Sequence, residues 1–401
     1  MIRRPPRSTQ GVSSAASDVY KRQNDDSAKF LHVKNTFINK FSDYGYKYIQ
    51  TPLLEYKELF DKSIGESSEI VTKQMYELKD KGGRDLVLRP EGTSSVVRYH
   101  AEFNKDNTSK YSYFGSMFRY ENPQKNRYRE FNQAGAEIVG LIDIYSDFQI
   151  INDSLNFINN LLPGTTLKIN TIGSIEDREA YVKVLYEYFS KNKEKLSNES
   201  LEKIENNTLR ILDSNNSEDR EIISNAPTIN EYINTHSKEN FESLLRLLDN
   251  SQINYEIDYS LVRGLDYYND LTFEFHTEES VVVGGGGRYD NLAKILSIGD
   301  FNGVGVAFGV ERIMNLLSEI KISSKYYLLG TNIDNLTKYS KILDENSINY
   351  NKPSRVSKEN SQFKEAKKLN AEYLINADED TIKNLITNET EAFDIEVILE
   401  H

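Results

Sequence analysis

The strongest constraint on this chain is the way its hydrophobic period changes along its length. From Ser27 the pattern is helical: Phe30, Val33, Phe37 and Phe41 follow an i, i+3, i+7, i+11 course that keeps them on one face. Gly45 marks a stop. Residues 48–54 then read as a strand with Pro52 inside it, and proline cannot donate to a ladder, so this strand is expected at an edge or an interface. Residues 75–78 and 84–88 flank Asp80-Lys81-Gly82-Gly83, a hairpin signal. Further strand-like runs cover 110–120, 130–140 and 166–172. Residues 176–250 are nearly free of glycine and carry helical spacing such as Phe241, Leu244, Leu245 and Leu248, the pattern of a helical insertion forming its own small module. Strand signals resume at 255–257, 271–275, 280–283 and 304–308, before a helix from Val310 to about Glu319.

A third region starts near Lys325. Strand 326–329, helices 336–343 and 361–369, and strands 373–375 and 395–399 alternate as in a small α/β domain. The expected organisation is a leader at 1–23, a catalytic core at 24–175 and 251–322 interrupted by the insertion at 176–250, and a last domain at 323–401. The 401 residues suffice for two or three domains. The leader holds five basic residues and one acid, is rich in Ser, Arg and Pro, and lacks the apolar stretch of a secretory signal. It resembles translated vector read-through, so the native start is expected to be lost. No helix is expected after Leu399, so the last domain is expected to be truncated.

Composition removes several chemistries. With no Cys and five dispersed His, disulfides, thiol catalysis and paired-His metal sites are not available. No apolar run approaches the ~18 residues of a membrane span. The expectation is a soluble protein of a reducing compartment, the cytoplasm. A net charge of −13 argues against binding polyanions over the whole surface but leaves room for local basic patches.

Three islands of Arg, Glu, Gly and Tyr carry the candidate chemistry. The first is Arg89-Pro90-Glu91-Gly92-Thr93. The second is Phe118-Arg119-Tyr120-Glu121, followed by Gln124-Lys125-Asn126-Arg127 and the strand to Gly140. The third is split among Leu261-Val262-Arg263-Gly264-Leu265-Asp266-Tyr267-Tyr268, Gly284-Gly285-Gly286-Gly287-Arg288-Tyr289-Asp290, and Gly305 to Arg312. Strand–loop–strand segments bearing several arginines suit phosphate oxygens, because guanidinium forks bind them bidentately. Glycines such as Gly305 and Gly309 let a ligand or a neighbouring backbone approach closely. Taken singly, an Arg–Glu neighbour pair reads as a surface ion pair, and the four glycines as a flexible turn. The P-loop pattern and the strand-linked GxGxxG are absent. Spacing alone implies a phosphate-handling α/β enzyme.

Read in order, the islands resemble the three signature motifs of class II aminoacyl-tRNA synthetases, and specifically those of the histidyl-tRNA synthetase family. The segment around 48–54 is similar to motif 1, residues 118–140 to motif 2, and residues 305–312 to motif 3. The octapeptide at 261–268 and Gly-Gly-Arg-Tyr-Asp at 286–290 resemble sequences specific to the histidine enzyme. The resemblance implies an α+β fold: a class II synthetase-like antiparallel sheet as catalytic core with a helical insertion, plus a small C-terminal α/β anticodon-binding domain.

It also implies site residues. Arg119 would grip the ATP α-phosphate, Glu121 the adenine end, and Arg127 and Arg312 the γ-phosphate. Arg263 would stabilise charge on the α-phosphate during attack, so Arg119 and Arg263 are the catalytic pair. Glu91, Thr93 and Gln133 would bind the histidine α-amino group, Glu137 and Tyr268 the imidazole, and Tyr289 would wall the pocket. ATP with Mg²⁺, histidine and the cognate histidine tRNA are the implied substrates, and a homodimer the implied assembly. For tRNA, the basic residues Lys352, Arg355, Lys358, Lys364, Lys367 and Lys368 face only Glu359 and Glu365 between positions 352 and 368. The alternative is a non-catalytic, synthetase-like regulatory subunit of histidine biosynthesis. Such paralogues commonly lose the arginines and the last domain that are present here.

Overall fold

The computed structural model describes residues 25–65, 68, 70–120, 128–214, 216–262, 267–320 and 325–400. They fall into two compact units, the larger spanning Phe30–Leu317 and the smaller formed mainly from Ser318 onward.

The helical period of the first segment is realised in α1 (Asp25–Asp43), where Val33, Phe37 and Phe41 are fully buried. The helix stops as read. Gly45 takes φ +82°, and Tyr46 N donates back to Phe41 O at 2.9 Å, an end that glycine adopts without steric cost. The next segment departs from expectation. Residues 48–54 form two short strands in different sheets, β1 (Lys47–Tyr48) and β2 (Leu54–Tyr56), rather than one strand. Pro52 lies in the crossing between them, where no ladder partner is needed for the amide hydrogen it lacks.

The chain continues through α2 (Lys57–Ile64) and the expected hairpin of β3 (Tyr76–Lys79) and β4 (Asp85–Leu88). With β2 these strands make a three-stranded sheet. Then come α3 (Thr93–Phe103), β5 (Ser109–Phe118), β6 (Glu130–Gly140), α4 (Ile144–Leu161) and β7 (Thr166–Thr171). The helical run follows as α5 (Ile175–Lys191), α6 (Asn198–Asn206), α7 (Arg220–Ser224) and α8 (Thr235–Asn250). Last in this unit are β8 (Tyr255–Ile257), β9 (Asn269–His276), β10 (Val282–Arg288), α9 (Leu292–Ile295), β11 (Asn302–Gly309) and α10 (Val310–Leu316).

The main sheet has the order β1-β5-β6-β11-β10-β9-β7-β8. Its central pairs are all antiparallel, and only β1 and β8 add in parallel at the two ends. Because side chains alternate along each strand, the sheet has two unlike faces. Ala134, Ala136, Ile138, Val304, Val306, Phe308, Phe273 and Phe275 pack on one side with α1, α4, α8 and α10. Phe157 of α4 sits between Phe37 (5.2 Å) and Phe308 (5.0 Å), both edge-on. The opposite face carries Gln133, Gly135 and Glu137 of β6.

The four glycines do not form a turn. They occupy the middle of β10, and side chains at Gly284 and Gly286 would collide with the Phe308 and Phe273 rings. The helical run divides in its packing. Tyr181, Leu185 and Phe189 of α5 gather a separate core with Ile204, Ile211, Ile222 and Ile229, whereas Phe241, Leu244 and Leu248 of α8 join the core beneath the sheet.

The smaller unit contains β12 (Tyr326–Leu329), α11 (Ile333–Glu345), β13 (Tyr350–Asn351), α12 (Glu359–Lys368), β14 (Tyr373–Asn376), β15 (Thr381–Asn384), β16 (Thr390–Ala392) and α13 (Ile395–Glu400). The sheet order is β13-β12-β14-β15-β16, parallel through β14 and antiparallel beyond it. Residues 395–399, read as a strand, are helical. Asp394 caps the helix by accepting from Glu396 N at 2.9 Å, and Ile395 and Ile398, three residues apart, face the same core.

Phe308 is fully buried against Phe157 and Phe275. Phe308→Ala is expected to lower the stability of the larger unit by about 3–5 kcal/mol, read from its denaturant unfolding curve.

Candidate active site

The polar face of the main sheet is built around one carboxyl group. Glu137, in the middle of β6, is 1% exposed. Its Oε1 accepts from Thr93 Oγ1 at 2.7 Å, its Oε2 from the Tyr289 hydroxyl at 2.6 Å, and the Tyr113 hydroxyl stands 3.5 Å from Oε1. Directly across the ladder lies Gly305 of β11, and any side chain there would occupy the place of the carboxylate. Gly135 makes the same allowance for the Tyr113 ring, and Gly303 for Tyr289. Burial pushes the Glu137 carboxyl up to about 8, against the opposing pull of the Tyr289 and Thr93 hydroxyls. At neutral pH it is therefore mostly protonated, able to donate one hydrogen bond and accept another.

Thr93 reaches this carboxyl because it starts α3, just after the loop that leaves β4. Glu91 fixes that start. Its two oxygens accept from Thr93 N (2.5 Å) and Ser94 N (3.0 Å), a carboxylate at the positive end of a helix. Tyr267 and Tyr268 add an aromatic wall, their rings 4.8 Å apart and Tyr267 5.9 Å from Tyr289. Gln133, two residues from Gly135 on the same face of β6, has a buried Oε1 with no hydrogen-bond partner among the described residues. An orphaned buried acceptor is costly unless a ligand donor meets it.

Two cations border this face. Arg119, just past β5, donates from Nε to Pro90 O at 2.9 Å, and its guanidinium lies over the Phe131 ring at 5.2 Å. Arg312 of α10 donates to Val282 O at 3.0 Å, with its stem against Gly309, the ladder partner of Gln133. Glu311 holds α10 to β6 by accepting from Asn132 N and Asn132 Nδ2, both at 2.8 Å. The structure thus gathers Glu91, Thr93, Gln133, Glu137, Tyr268 and Tyr289 on one face of the sheet, with Arg119 and Arg312 at its margin. Glu121, Arg127 and Arg263 lie outside the described residues. Sequence reading missed Tyr113. Its signal was its place two residues before Gly115 on the polar side of β5, opposite Gly135.

Among the described residues no group of three or more His, Cys, Asp or Glu side chains could hold a metal ion, and no helix is long and apolar enough to cross a membrane. Lys352, Arg355, Lys358, Lys364, Lys367 and Lys368 of the smaller unit are exposed. Lys364, Lys367 and Lys368 share the face of α12 opposite buried Gln362 and Ala366, and Lys352 and Arg355 precede that helix.

The family described as histidyl-tRNA synthetase matches residues 19–313. The chain belongs to that family. It is 43% identical over 300 residues to the histidine–tRNA ligase of Mycoplasma mobile, covering 72% of this chain and 67% of the relative. With the histidine–tRNA ligase of Lactococcus lactis subsp. cremoris strain SK11 it shares 38% identity over 377 residues, 89% of this chain and 87% of the relative. The crystal structure of apo S. aureus histidyl-tRNA synthetase superimposes with a TM-score of 0.72 at 27% identity, over 100% of this chain and 99% of that one. A Bacillus halodurans structure described as an ATP phosphoribosyltransferase regulatory subunit/histidyl-tRNA synthetase superimposes with a TM-score of 0.62 at 18% identity, a likeness of fold alone. The antiparallel sheet with its glycine-lined polar face is therefore the histidyl-tRNA synthetase fold in this chain.

The raised carboxyl has a consequence for stability. Below the carboxyl's ordinary value near 4.5, Glu137 is protonated whether the chain is folded or not. As pH rises from there to about 8, only the unfolded chain releases the proton, so folding loses stability across that window. Glu137→Gln is expected to flatten the fall in the urea midpoint between about pH 5 and about pH 8.

Proposed function

We propose that this chain ligates histidine to its cognate tRNA in two steps in one pocket, in the cytoplasm. The observation that carries this reading is the buried Glu137 ringed by hydroxyls, its carboxyl pushed up to about 8 by burial, a group suited to an imidazole, which brings one donor and one acceptor. Family membership supports the reaction class. Glu137 and Tyr268 read the imidazole, and Tyr289 holds Glu137 in place as it walls the pocket. Gln133 offers its orphaned Oε1 to the α-amino group, which Glu91 and Thr93 also approach. A site of this kind rejects analogues lacking the matching atoms, because its buried polar groups are then left unpaired.

ATP enters as its Mg²⁺ complex, with the ion carried by the phosphates. Arg119 and Arg263 hold the α-phosphate, Glu121 the adenine, and Arg127 and Arg312 the γ-phosphate. A histidine carboxylate oxygen attacks the α-phosphorus. The bond to the β-phosphate breaks, and pyrophosphate leaves with its electron pair. A ribose hydroxyl at the tRNA 3′ end then attacks the histidyl carbonyl, loses its proton and expels AMP. No side chain becomes a nucleophile. Fixed cations facing developing phosphate charge supply the rate.

The lysine face of α12 and the residues before it form the tRNA contact of the smaller unit. The half-exposed Tyr48, Leu53, Leu54 and Tyr56 form the contact with a second copy in a homodimer.

Histidine-dependent ATP–pyrophosphate exchange by the purified chain tests the first step. Exchange is expected; its absence with histidine still bound would favour the regulatory-subunit alternative. Histidine affinity is expected to peak between the imidazole's own value, ~6.5, and the Glu137 value of about 8. Within that range one proton is shared without uptake or release, and calorimetry across pH should find the alkaline limb missing in Glu137→Gln. An alkaline limb that survives in the variant contradicts the assignment. Replacing Lys364, Lys367 and Lys368 together by Ala is expected to raise the KM for tRNA and leave exchange unchanged. The salt dependence of tRNA binding should become shallower by about one unit of slope for each phosphate that is no longer neutralised.

A further inference from the structure

One buried cation lies outside the roles assigned so far. Arg89, at the end of β4, is 3% exposed. Its guanidinium donates from Nε to Ser116 O (3.0 Å) and from Nη1 to both Thr51 O (2.9 Å) and Thr51 Oγ1 (2.6 Å). Its backbone is held as well: Arg89 N donates to Leu53 O at 2.9 Å, and Arg89 O accepts from Phe118 N at 3.0 Å. Gly115 makes room for the third nitrogen, since a side chain there would stand 2.5 Å from Nη2. The acceptors this cation meets among the described residues are two carbonyls and a hydroxyl, all neutral. Glu55 and Glu91 act on the guanidinium through charge, and burial still pulls its pKa down, so holding a cation here is costly. The fixed hydrogen bonds are therefore a matter of geometry rather than of stability.

What they fix is the next turn of chain. Pro90 O receives the Arg119 guanidinium, Glu91 anchors the start of α3, and Thr93 reaches Glu137. Both ends of the pocket hang from one short segment, and Arg89 is the bolt that ties this segment to β5 and to the crossing between β1 and β2.

We propose that Arg89 is a positioning residue for the adenylation reaction, holding Arg119 on the ATP side and Thr93 on the histidine side in register with each other and with residues 51–53. A lysine cannot replace it, because a single ammonium does not span Ser116 O and Thr51 together. Misplacement of reacting groups by a fraction of an ångström to an ångström costs rate steeply.

The inference rests on the proposed role of Arg119, and the test separates the two. Arg119→Ala, Arg89→Lys and Thr51→Val are compared in histidine-dependent ATP–pyrophosphate exchange, with rates normalised to active sites by titration of bound adenylate. Arg89→Lys is expected to lower kcat roughly 10- to 100-fold and to raise the KM values for ATP and for histidine together. Thr51→Val, which removes one acceptor without changing shape, is expected to shift the same constants in the same direction by a smaller factor. A residue that only stabilises the fold would lower the melting temperature and leave both KM values of the folded enzyme unchanged. That outcome in Thr51→Val overturns the proposal, even if Arg89→Lys fails to fold. Full exchange activity in Arg119→Ala would instead overturn the reading beneath it.

Discussion

The structure of the larger unit turns on the burial of one carboxyl group in the middle of an antiparallel sheet. A buried acid is tolerated only where hydrogen bonds replace water and where its charge can be neutralised. Glu137 meets the first through Thr93 and Tyr289, and burial favours the second by pushing its carboxyl up to about 8. Meeting them constrains much of the chain. Gly305 must lie opposite on β11, Gly135 and Gly303 must clear the two tyrosine rings, and α3 must begin where Thr93 can reach.

The other face of the same strands answers to the opposite demand. Ala134, Ala136 and Ile138 alternate with Gln133, Gly135 and Glu137, so the middle of β6 turns one side to the core and the other to the polar face. The apolar side is filled by the ring cluster of Phe37, Phe41, Phe157 and Phe308, which gives the sheet a rigid backing. On the other side the glycines give up their space to Tyr113, Tyr289 and Glu137. The loop from Arg89 to Thr93 then ties the hairpin sheet to the main one, through Arg89 to Ser116, Pro90 to Arg119 and Thr93 to Glu137.

Strong local patterns were legible in the sequence. The stripe of Phe30, Val33, Phe37 and Phe41, the stop at Gly45 and the hairpin at Asp80 to Gly83 each follow from spacing and turn chemistry that need no distant partner. Where a distant partner decides, the reading failed. The four glycines look like a turn until the rings of Phe308 and Phe273 are seen to cover Gly284 and Gly286, and Tyr268 to stand over Gly287, in the sheet. Residues 395–399 look like a strand because isoleucine and valine favour strands. Asp394 and the core contact of Ile398 make them a helix instead. Strands β15 and β16 were missed altogether, since short polar segments become strands only through the neighbours they pair with.

The sequence by itself determined the family and the antiparallel core, because ordered motifs and hydrophobic periods are written in residue type and spacing. It did not determine the state of the residues on the polar face. That burial raises the Glu137 carboxyl, that Gln133 Oε1 has no partner among the described residues, that Tyr113 approaches Glu137 and that Arg89 is buried against two carbonyls and a hydroxyl are outcomes of the tertiary structure. Each depends on which atoms from remote segments exclude water around a polar group, and desolvation is a property of the packed whole rather than of any stretch of chain.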